Sequence, residues 1–277
     1  MRYLSILLIV FSIKSLSWNP ELYRLNDTLQ TNDYEYFLKK HSFNVMPEQI
    51  LDLGTRTNKN FSALTQMFPK SQITSIVIDP VFKVLTDIRN VSINHDINNL
   101  DSIEEKKYDL IFSAHYLHWI KEQNQTDILE KVYYTLNTDG NFLGFISPKK
   151  DPERPFEQIK QALMNNEKYK PIINLQDHRT LYTLEEYKAK LECVGFIVEE
   201  IGYHRRKRQY QNISQLKGSI KAWFITGNEF IEAKNPELID QYFDDLSTRL
   251  FEILETDNQN GKKNWYVDVL YFRAKKS

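Results

Sequence analysis

Apolar residues in the first half of this chain follow two alternating spacings, and each spacing predicts one kind of element. Short β-prone runs at residues 50–53 and 73–78 predict buried strands. Segments at 57–68 and 123–136 carry apolar side chains three or four residues apart, which predicts helices. The alternation from residue 50 to residue 147 is typical of a doubly wound α/β sheet with mostly parallel strands.

The pattern changes on either side of this region. Residues 20–40 predict an N-terminal helix, whereas residues 149–182 are charged and loop-rich, with one helical stretch at 156–165. We interpret 149–182 as an insertion over a functional site rather than as a domain. Regular spacing then returns and predicts helices at 182–194, 214–225 and 236–254, and strands at 196–203 and 265–273.

The strongest signal for a ligand site follows the first strand. Gly54 comes directly after residues 50–53, and helical spacing begins near Asn58, so the segment predicts a strand, a sharp turn and a helix. Open α/β sheets bind nucleotide-like ligands at such strand ends. Asp79 ends the next predicted strand, where its carboxylate is placed to accept hydrogen bonds from two ribose hydroxyls. The sequence therefore predicts a nucleoside-binding edge.

Five blocks of the chain form a recognisable series, and they are DLGTRTN at 52–58, Asp79, HDI at 95–97, YDLIFSAHYLHWI at 108–120 and LNTDGNFL at 136–143. In this order the blocks resemble those of class I S-adenosylmethionine-dependent methyltransferases. WNPELY at 18–23 and LHW at 117–119 make the resemblance closest to small-acid O-methyltransferases of the trans-aconitate, malonyl-carrier-protein and juvenile hormone acid kind. It covers roughly residues 18–275.

This resemblance implies a seven-stranded, mostly parallel, Rossmann-like sheet with an antiparallel last strand, added helices, and S-adenosylmethionine as cofactor. It implies one methyltransferase domain over residues 18–277, with a cofactor-binding core at 45–147 and a substrate-side insertion and C-terminal part at 148–277. The cofactor-binding residues carried over from the family are Tyr23, Asp52, Gly54, Arg56, Asn58, Asp79, Asp96, Ile97 and Ser113.

The turn after the first strand departs from the family pattern. Arg56 and Asn58 stand where the family has its second and third glycines. Asparagine tolerates left-handed backbone, but the Arg56 side chain projects toward the methionine part of the cofactor. Two alternatives stay open. Either Arg56 turns outward or pairs with the methionine carboxylate, or the chain is a catalytically silent binding protein on the same fold.

The resemblance also implies O-methylation of a carboxylic acid, carried by a small molecule or an acyl carrier. Because a carboxylate is already ionised near neutral pH, we propose no general base. Trp119 is expected to face the cationic methyl group, with Tyr116 as a further aromatic wall, and the Gln30 amide to orient the substrate. For Trp119 and Tyr116 the alternative interpretation is ordinary core packing, and for Gln30 it is a solvated helix face. His115 and His118 lie three residues apart, but we expect no metal there because no third ligand stands near.

Composition narrows the remaining classes. A chain of 277 residues, 41% hydrophobic, fits one large domain, and a net charge of −1 argues against nucleic acid as a partner. Gly54 is the only glycine in residues 1–100 of the sequence. This disfavours a nicotinamide-dependent oxidoreductase, whose cofactor-binding motif needs several glycines. We expect a monomer or weak dimer. Cys193 is expected to be buried, and the basic run at 204–208 to lie on an exposed sheet edge, with docking of an acidic carrier or anionic substrate as the alternative.

The N-terminus carries a separate signal. Residues 4–13 have the length of a signal-peptide core and are too short to span a bilayer comfortably, so no stable membrane span is expected. We interpret residues 1–17 as a signal peptide or a hydrophobic extension. Localisation stays open between the secretory pathway, if this segment is cleaved, and the cytoplasm.

Overall fold

A computed structural model describes residues 28–41, 43, 45–54, 58–76, 93–94, 107–149, 154–170, 179–224 and 235–277 of the chain. The interpretation of residues 1–17 and the predictions at Tyr23, Arg56, Asp79, Asp96 and Ile97 lie outside these residues. For Gln30 and Asn58 the structure describes the backbone and not the side chain.

Strands and helices alternate through the first half of the chain, as predicted. The strands are β1 (Gln49–Leu53), β2 (Gln72–Ile76), β3 (Ile93–Asn94), β4 (Tyr108–Ala114), β5 (Leu136–Ile146), β6 (Ile197–Tyr210), β7 (Glu255–Thr256) and β8 (Lys263–Lys275). The helices are α1 (Thr28–Lys40), α2 (Asn58–Met67), α3 (Glu122–Thr135), α4 (Pro155–Met164), α5 (Leu184–Val194), α6 (Ile213–Phe224) and α7 (Pro236–Ile253), with a 3-10 turn at Leu117–Trp119.

The described strands form one sheet in the order β3-β2-β1-β4-β5-β8-β6, with the two-residue β7 paired to β8. β1 pairs in parallel with β2 and β4, and β4 pairs in parallel with β5. β8 is antiparallel to both β5 and β6. The predicted doubly wound, seven-stranded and mostly parallel sheet is therefore confirmed, together with its antiparallel last strand.

Burial on both faces explains the near-continuous apolar sequence of β1. Leu51 and Leu53 pack on one face with Ile111 of β4. Ile50 packs on the other face in a cluster that includes Phe37 of α1. Helix α1 therefore covers the centre of the sheet, directly beside the strand ends where a ligand site is expected.

β6 and β8 continue beyond the rest of the sheet as a two-stranded ribbon. Tyr203 pairs with Leu270, which pairs with Ile146 at the end of β5, so residues 204–210 extend past the C-terminal edge of the parallel strands. The predicted end of this strand at residue 203 is wrong. The basic run lies within β6 and not in a fully exposed segment: alternate side chains turn inward, so that Arg206 is 10% and Arg208 9% exposed.

Helices α4, α6 and α7 pack against this ribbon and are called the helical lobe below. Their shared cluster includes Phe156, Leu216, Tyr242 and Leu250, with Trp265 from the ribbon. The lobe thus has its own apolar core beside the sheet. Within the described part of the chain, none of the helices combines the length and apolar character needed to cross a bilayer.

The expectation of a buried cysteine is wrong. Cys193 occupies the exposed side of α5. That helix begins with a capping box between Thr183 and Glu186 and ends at Gly195 with a φ of 110°. Its buried positions are Tyr187 and Leu191, four residues apart, and Cys193 does not share their face.

Candidate functional site

A cavity of about 580 Å³ lies between the C-terminal ends of β4 and β5 and the helical lobe. Its position agrees with the rule that ligands of open α/β sheets bind outside the carboxyl ends of the strands. His115, His118 and Trp119 line it after β4, Ser147 after β5, and Arg206 and Arg208 from the ribbon.

The chain turns sharply after β4 to bring side chains into this cavity. The backbone N–H of His115 still donates to the carbonyl of Phe145 at 2.9 Å, which continues the parallel ladder by one residue. His115 itself has a φ of 53°, in the left-handed region that few non-glycine residues adopt. The contacts that the Nε2 atom of its imidazole ring makes hold this conformation in place.

Those contacts centre on Asp33 of α1. Its Oδ2 lies 2.7 Å from His115 Nε2, and Arg206 Nη1 donates to the same oxygen. Because a carboxylate can only accept, Nε2 of His115 carries a proton. Asp33 is 2% exposed, so both partners meet a buried carboxylate.

Burial lowers the pKa of Arg206 to about 10, although the Asp33 carboxylate favours the charged form. A guanidinium with this pKa is still charged at neutral pH. The arrangement therefore places an imidazole and a charged guanidinium on one wall of the cavity, linked by one carboxylate.

His118 and Trp119 form a second, aromatic part of the wall. The backbone N–H of Ser147 donates to His118 Nδ1 at 3.3 Å, and His118 is 3% exposed. The Trp119 ring lies 5.2 Å from the His118 ring between centroids. Trp119 also lines the cavity, and its role toward a ligand stays a prediction. No cluster of three potential metal ligands occurs among the residues that the structure describes.

Gly54 lies at the end of β1, where the cofactor turn is predicted. Its N–H donates to the carbonyl of Ile76 at 2.9 Å, and its φ is 91°. A Cβ at this position would lie 2.5 Å from Cβ of Tyr116. The glycine is therefore required by packing within the chain itself. Tyr116 is 1% exposed and belongs to the core cluster, which favours the core interpretation of this side chain over the cavity wall.

Asp52 and Ser113 lie beside Gly54 but are fully buried. Tyr34 of α1 donates its hydroxyl to Asp52 Oδ1 at 2.5 Å. Burial raises the pKa of Asp52 to about 7, although hydrogen bonds from Tyr34 and Ser75 oppose this shift. The Ser113 hydroxyl is buried and has no hydrogen-bond partner among the described residues.

The described residues thus bring Asp52, Gly54 and Ser113 together on neighbouring strands, while Trp119 lies on the adjoining cavity. Their roles toward a ligand stay predictions. Sequence reasoning missed Asp33, and it considered Arg206 and Arg208 only as part of the basic run at 204–208. Asp33 and Arg206 are 173 positions apart, and a local pattern carries no signal for such a contact.

Comparison with known proteins decides the family. A model of the methyltransferase domain matches residues 29–201, more than half of the chain. The chain belongs to that family. The predicted family is therefore confirmed: the chain carries a methyltransferase domain, of a family that uses S-adenosylmethionine as cofactor.

One curated relative gives a more specific likeness. The chain is 24% identical to a juvenile hormone acid O-methyltransferase of Drosophila melanogaster over 168 residues. The match covers 57% of this chain and 51% of that protein. The chain thus spans about half the length of the curated relative that it matches.

Solved structures share the fold. The YcgJ protein of Bacillus subtilis is 14% identical with a TM-score of 0.54, covering 88% of this chain and 98% of that one. A mycolic acid cyclopropane synthase complexed with SAH and CTAB is 12% identical with a TM-score of 0.60, covering 95% and 96%. These likenesses concern the architecture alone.

Two observations at the strand-end edge fit S-adenosylmethionine. The Gly54 turn has a positive φ, and the Ser113 hydroxyl is a buried polar group that lacks a partner in the described part of the chain. Buried hydroxyls normally have such a partner, so a ligand polar group at this edge would satisfy Ser113. The backbone at Gly54 and the Ser113 hydroxyl are therefore the described groups that would hold the cofactor.

Proposed function

We propose that this protein is a methyltransferase that uses S-adenosylmethionine to form the methyl ester of a small carboxylic acid. The observation that carries the proposal is the charge of the cavity. Its described lining contains six cationic and three acidic side chains. Such an excess attracts an anionic acceptor and holds it beside the strand-end edge. The cations are Lys149, Arg154, Arg179, Arg205, Arg206 and Arg208, and the acids are Glu157, Glu255 and Asp268.

The chain's own residues then have two tasks. They hold the acceptor carboxylate in line with the methyl group, which is worth up to about 7–11 kcal/mol in well-oriented systems. They also exclude water, for which the half-buried Trp119 and the buried His118 provide an aromatic wall. The bound cofactor supplies a methyl group on a sulfonium sulfur. A carboxylate needs no proton removed before it attacks.

The likeness to a juvenile hormone acid O-methyltransferase supports the same acceptor class. That match is 24% identical and covers 51% of the relative. The proposed substrate-positioning residues are Trp119 and Gln30, and the proposed cofactor-binding residues are Tyr23, Asp52, Gly54, Arg56, Asn58, Asp79, Asp96, Ile97 and Ser113.

A second candidate function rests on the His115–Asp33 contact of 2.7 Å. An imidazole oriented by a carboxylate is a common general base. A hydroxyl or phenol acceptor requires such a base, whereas a carboxylate does not. The two candidates therefore differ in their dependence on His115.

The pH profile of methyl transfer separates them. If the acceptor is a carboxylic acid, activity should fall only near pH 4–5, roughly the pKa of an unperturbed carboxyl group. His115→Gln, which keeps a side chain able to donate to Asp33, should then retain turnover. A fall in activity near pH 6–7 in the parent protein, about the ordinary pKa of imidazole, would contradict esterification if His115→Gln also abolished turnover.

Cofactor binding is tested separately by calorimetry. Asp79→Ala removes the proposed acceptor for the ribose hydroxyls and should weaken S-adenosylmethionine binding about tenfold or more. Arg56→Gly should weaken binding if Arg56 pairs with the methionine carboxylate. Tighter binding by Arg56→Gly would instead favour the silent binding protein, in which the arginine obstructs the site.

A further inference from the structure

Two arginines of the ribbon project into the cavity from one face of β6. Arg206 and Arg208 are two residues apart in the strand and both line the cavity. Alternate residues of a strand share a face and are separated by about 7 Å along it. Both side chains are also about nine-tenths buried, with exposures of 10% and 9%.

The carboxylates near the cavity do not balance these charges equally. Arg206 is paired with Asp33, and Arg154 and Arg205 share the single carboxylate of Asp268. Arg208 has no acidic partner among the residues that the structure describes. This arginine is consequently a buried cation whose charge the described chain leaves uncompensated.

The contacts of Arg208 are all with neutral groups. Its Nη1 donates to Ser219 Oγ at 3.1 Å and to Tyr210 Oη at 3.4 Å, and its guanidinium carbon lies 5.5 Å from the Trp265 ring centroid. Its Nε is buried and donates to no described residue. The edge of a guanidinium that includes Nε is one of those that bind an anion with two parallel hydrogen bonds.

Arg206 adds a second donor of the same kind. Its Nε is also buried without a partner in the described part of the chain. The positive charge of Arg208 opposes that of Arg206 and contributes to lowering the pKa of Arg206. Buried charges and buried polar hydrogens both carry a large free-energy cost unless they are paired. An anion at this position would satisfy both Nε groups and the uncompensated charge.

We infer, on the basis of the proposed function, that Arg208 together with Nε of Arg206 binds a second anionic group of the acceptor, a carboxylate or a phosphate. This group is distinct from the carboxylate that receives the methyl group. The acceptor is accordingly an elongated acid with an anionic group at each end.

The position of Arg208 along the ribbon separates the two anionic groups. His115 follows β4 at the level of Ile146, which corresponds to Tyr203 in β6 through their shared neighbour Leu270. Arg206 and Arg208 are three and five residues further along the strand, so their backbones lie about 10 and 17 Å beyond that level at 3.3 Å per residue. The oxygen that receives the methyl group must instead lie at the strand-end edge beside Ser113. One carboxylate does not occupy both places.

The test measures thermal unfolding with anions alone, without the methyl donor. Dodecanedioate has a carboxylate at each end of a chain long enough to join the two places, dodecanoate has one carboxylate on a chain of the same length, and inorganic phosphate represents a phosphorylated end. At constant ionic strength, dodecanedioate or phosphate should raise the unfolding temperature by about 2 °C or more at saturating concentration. Dodecanoate should have a clearly smaller effect.

Two variants assign the effect to the cavity. Arg208→Met should abolish the stabilisation by dodecanedioate or phosphate. Lys207→Met is the matched control, because Lys207 is the neighbouring residue of the same strand, bears the same charge, and pairs with Asp257 at 2.7 Å outside the cavity lining. Lys207→Met should keep the stabilisation. Phosphate acting alone would assign the second group as a phosphate, and dodecanedioate acting alone would assign it as a carboxylate.

Three results would overturn the inference: no stabilisation of the parent protein by dodecanedioate or phosphate, equal stabilisation by dodecanoate and dodecanedioate, or stabilisation that persists in Arg208→Met. If Arg208→Met does not fold, the comparison of dodecanedioate with dodecanoate in the parent protein decides. Since no methyl transfer is measured, a failure here differs from a failure of the proposed reaction.

Discussion

Asp33 joins α1 to both His115 and Arg206, and removing its charge should destabilise the protein strongly. Asp33→Asn preserves the size of the side chain and one acceptor oxygen but leaves a charged guanidinium in a site where Arg206 is 10% exposed. Breaking a buried ion pair by removing one partner costs about 3–5 kcal/mol. We expect the lower end, about 3 kcal/mol, because the amide oxygen still accepts a hydrogen bond.

The expected change in unfolding temperature follows from the chain length of 277 residues. With an unfolding entropy of about 2.1 cal/mol/K per residue, 3 kcal/mol corresponds to a decrease of about 5 °C. Scanning calorimetry measures this decrease, and urea unfolding measures the loss in free energy of unfolding. The double variant Asp33→Asn/Arg206→Met removes the uncompensated charge and should recover most of the lost stability, since buried ion pairs are often replaceable by apolar residues.

A matched control uses the same strand. Lys207 and Asp257 form an ion pair at 2.7 Å, with Lys207 43% exposed, so Asp257→Asn should change the unfolding temperature much less than Asp33→Asn. The reasoning is refuted if Asp33→Asn and Asp257→Asn have equal effects. It is also refuted if the double variant is no more stable than Asp33→Asn alone.

The remaining predictions concern β1. Burial raises the folded-state pKa of Asp52 to about 7, above roughly 4 in the unfolded chain. The stabilisation of the folded protein that this raised pKa provides is therefore complete below about pH 4, and it is lost as pH rises through 7. The free energy of unfolding of Asp52→Asn relative to the parent should therefore increase by about 4 kcal/mol between pH 4 and pH 8, and a difference independent of pH in urea titrations would contradict this. Gly54→Ala should cost about 2 kcal/mol or more, because a Cβ would lie 2.5 Å from Tyr116 Cβ at a φ of 91°. Gly218→Ala, which meets nothing within 4 Å in α6, should be neutral or stabilise by up to about 1 kcal/mol, and equal losses in the two variants would reject the packing argument.

Local periodicity was sufficient to predict most elements of the sheet. The buried run of β1, the turn at Gly54 and the helices around Leu129 and Leu246 each have a short-range signature, because burial on one or both faces dictates the spacing of apolar residues. The antiparallel β8 came from the resemblance to a family, since antiparallel pairing with β5 depends on contacts far apart in the sequence.

The cavity was not predictable in the same way. Arg206 and Arg208 belong to a run of basic residues that locally resembles a solvated strand edge. Their burial depends on Asp33 and Ser219, which other elements contribute. Cys193, in contrast, was predicted to be buried and is exposed. Its helix was predicted correctly, but a helix with few apolar positions does not define from the sequence alone which side is buried.

The most direct test of the central claim is transfer of a labelled methyl group from S-adenosylmethionine to a panel of carboxylic acids, phenols and amines. The account predicts a labelled product with a carboxylic acid, which alkali hydrolyses to release labelled methanol because the product is an ester. Bound S-adenosylmethionine with transfer only to a phenol or amine, or to no member of the panel, would contradict it.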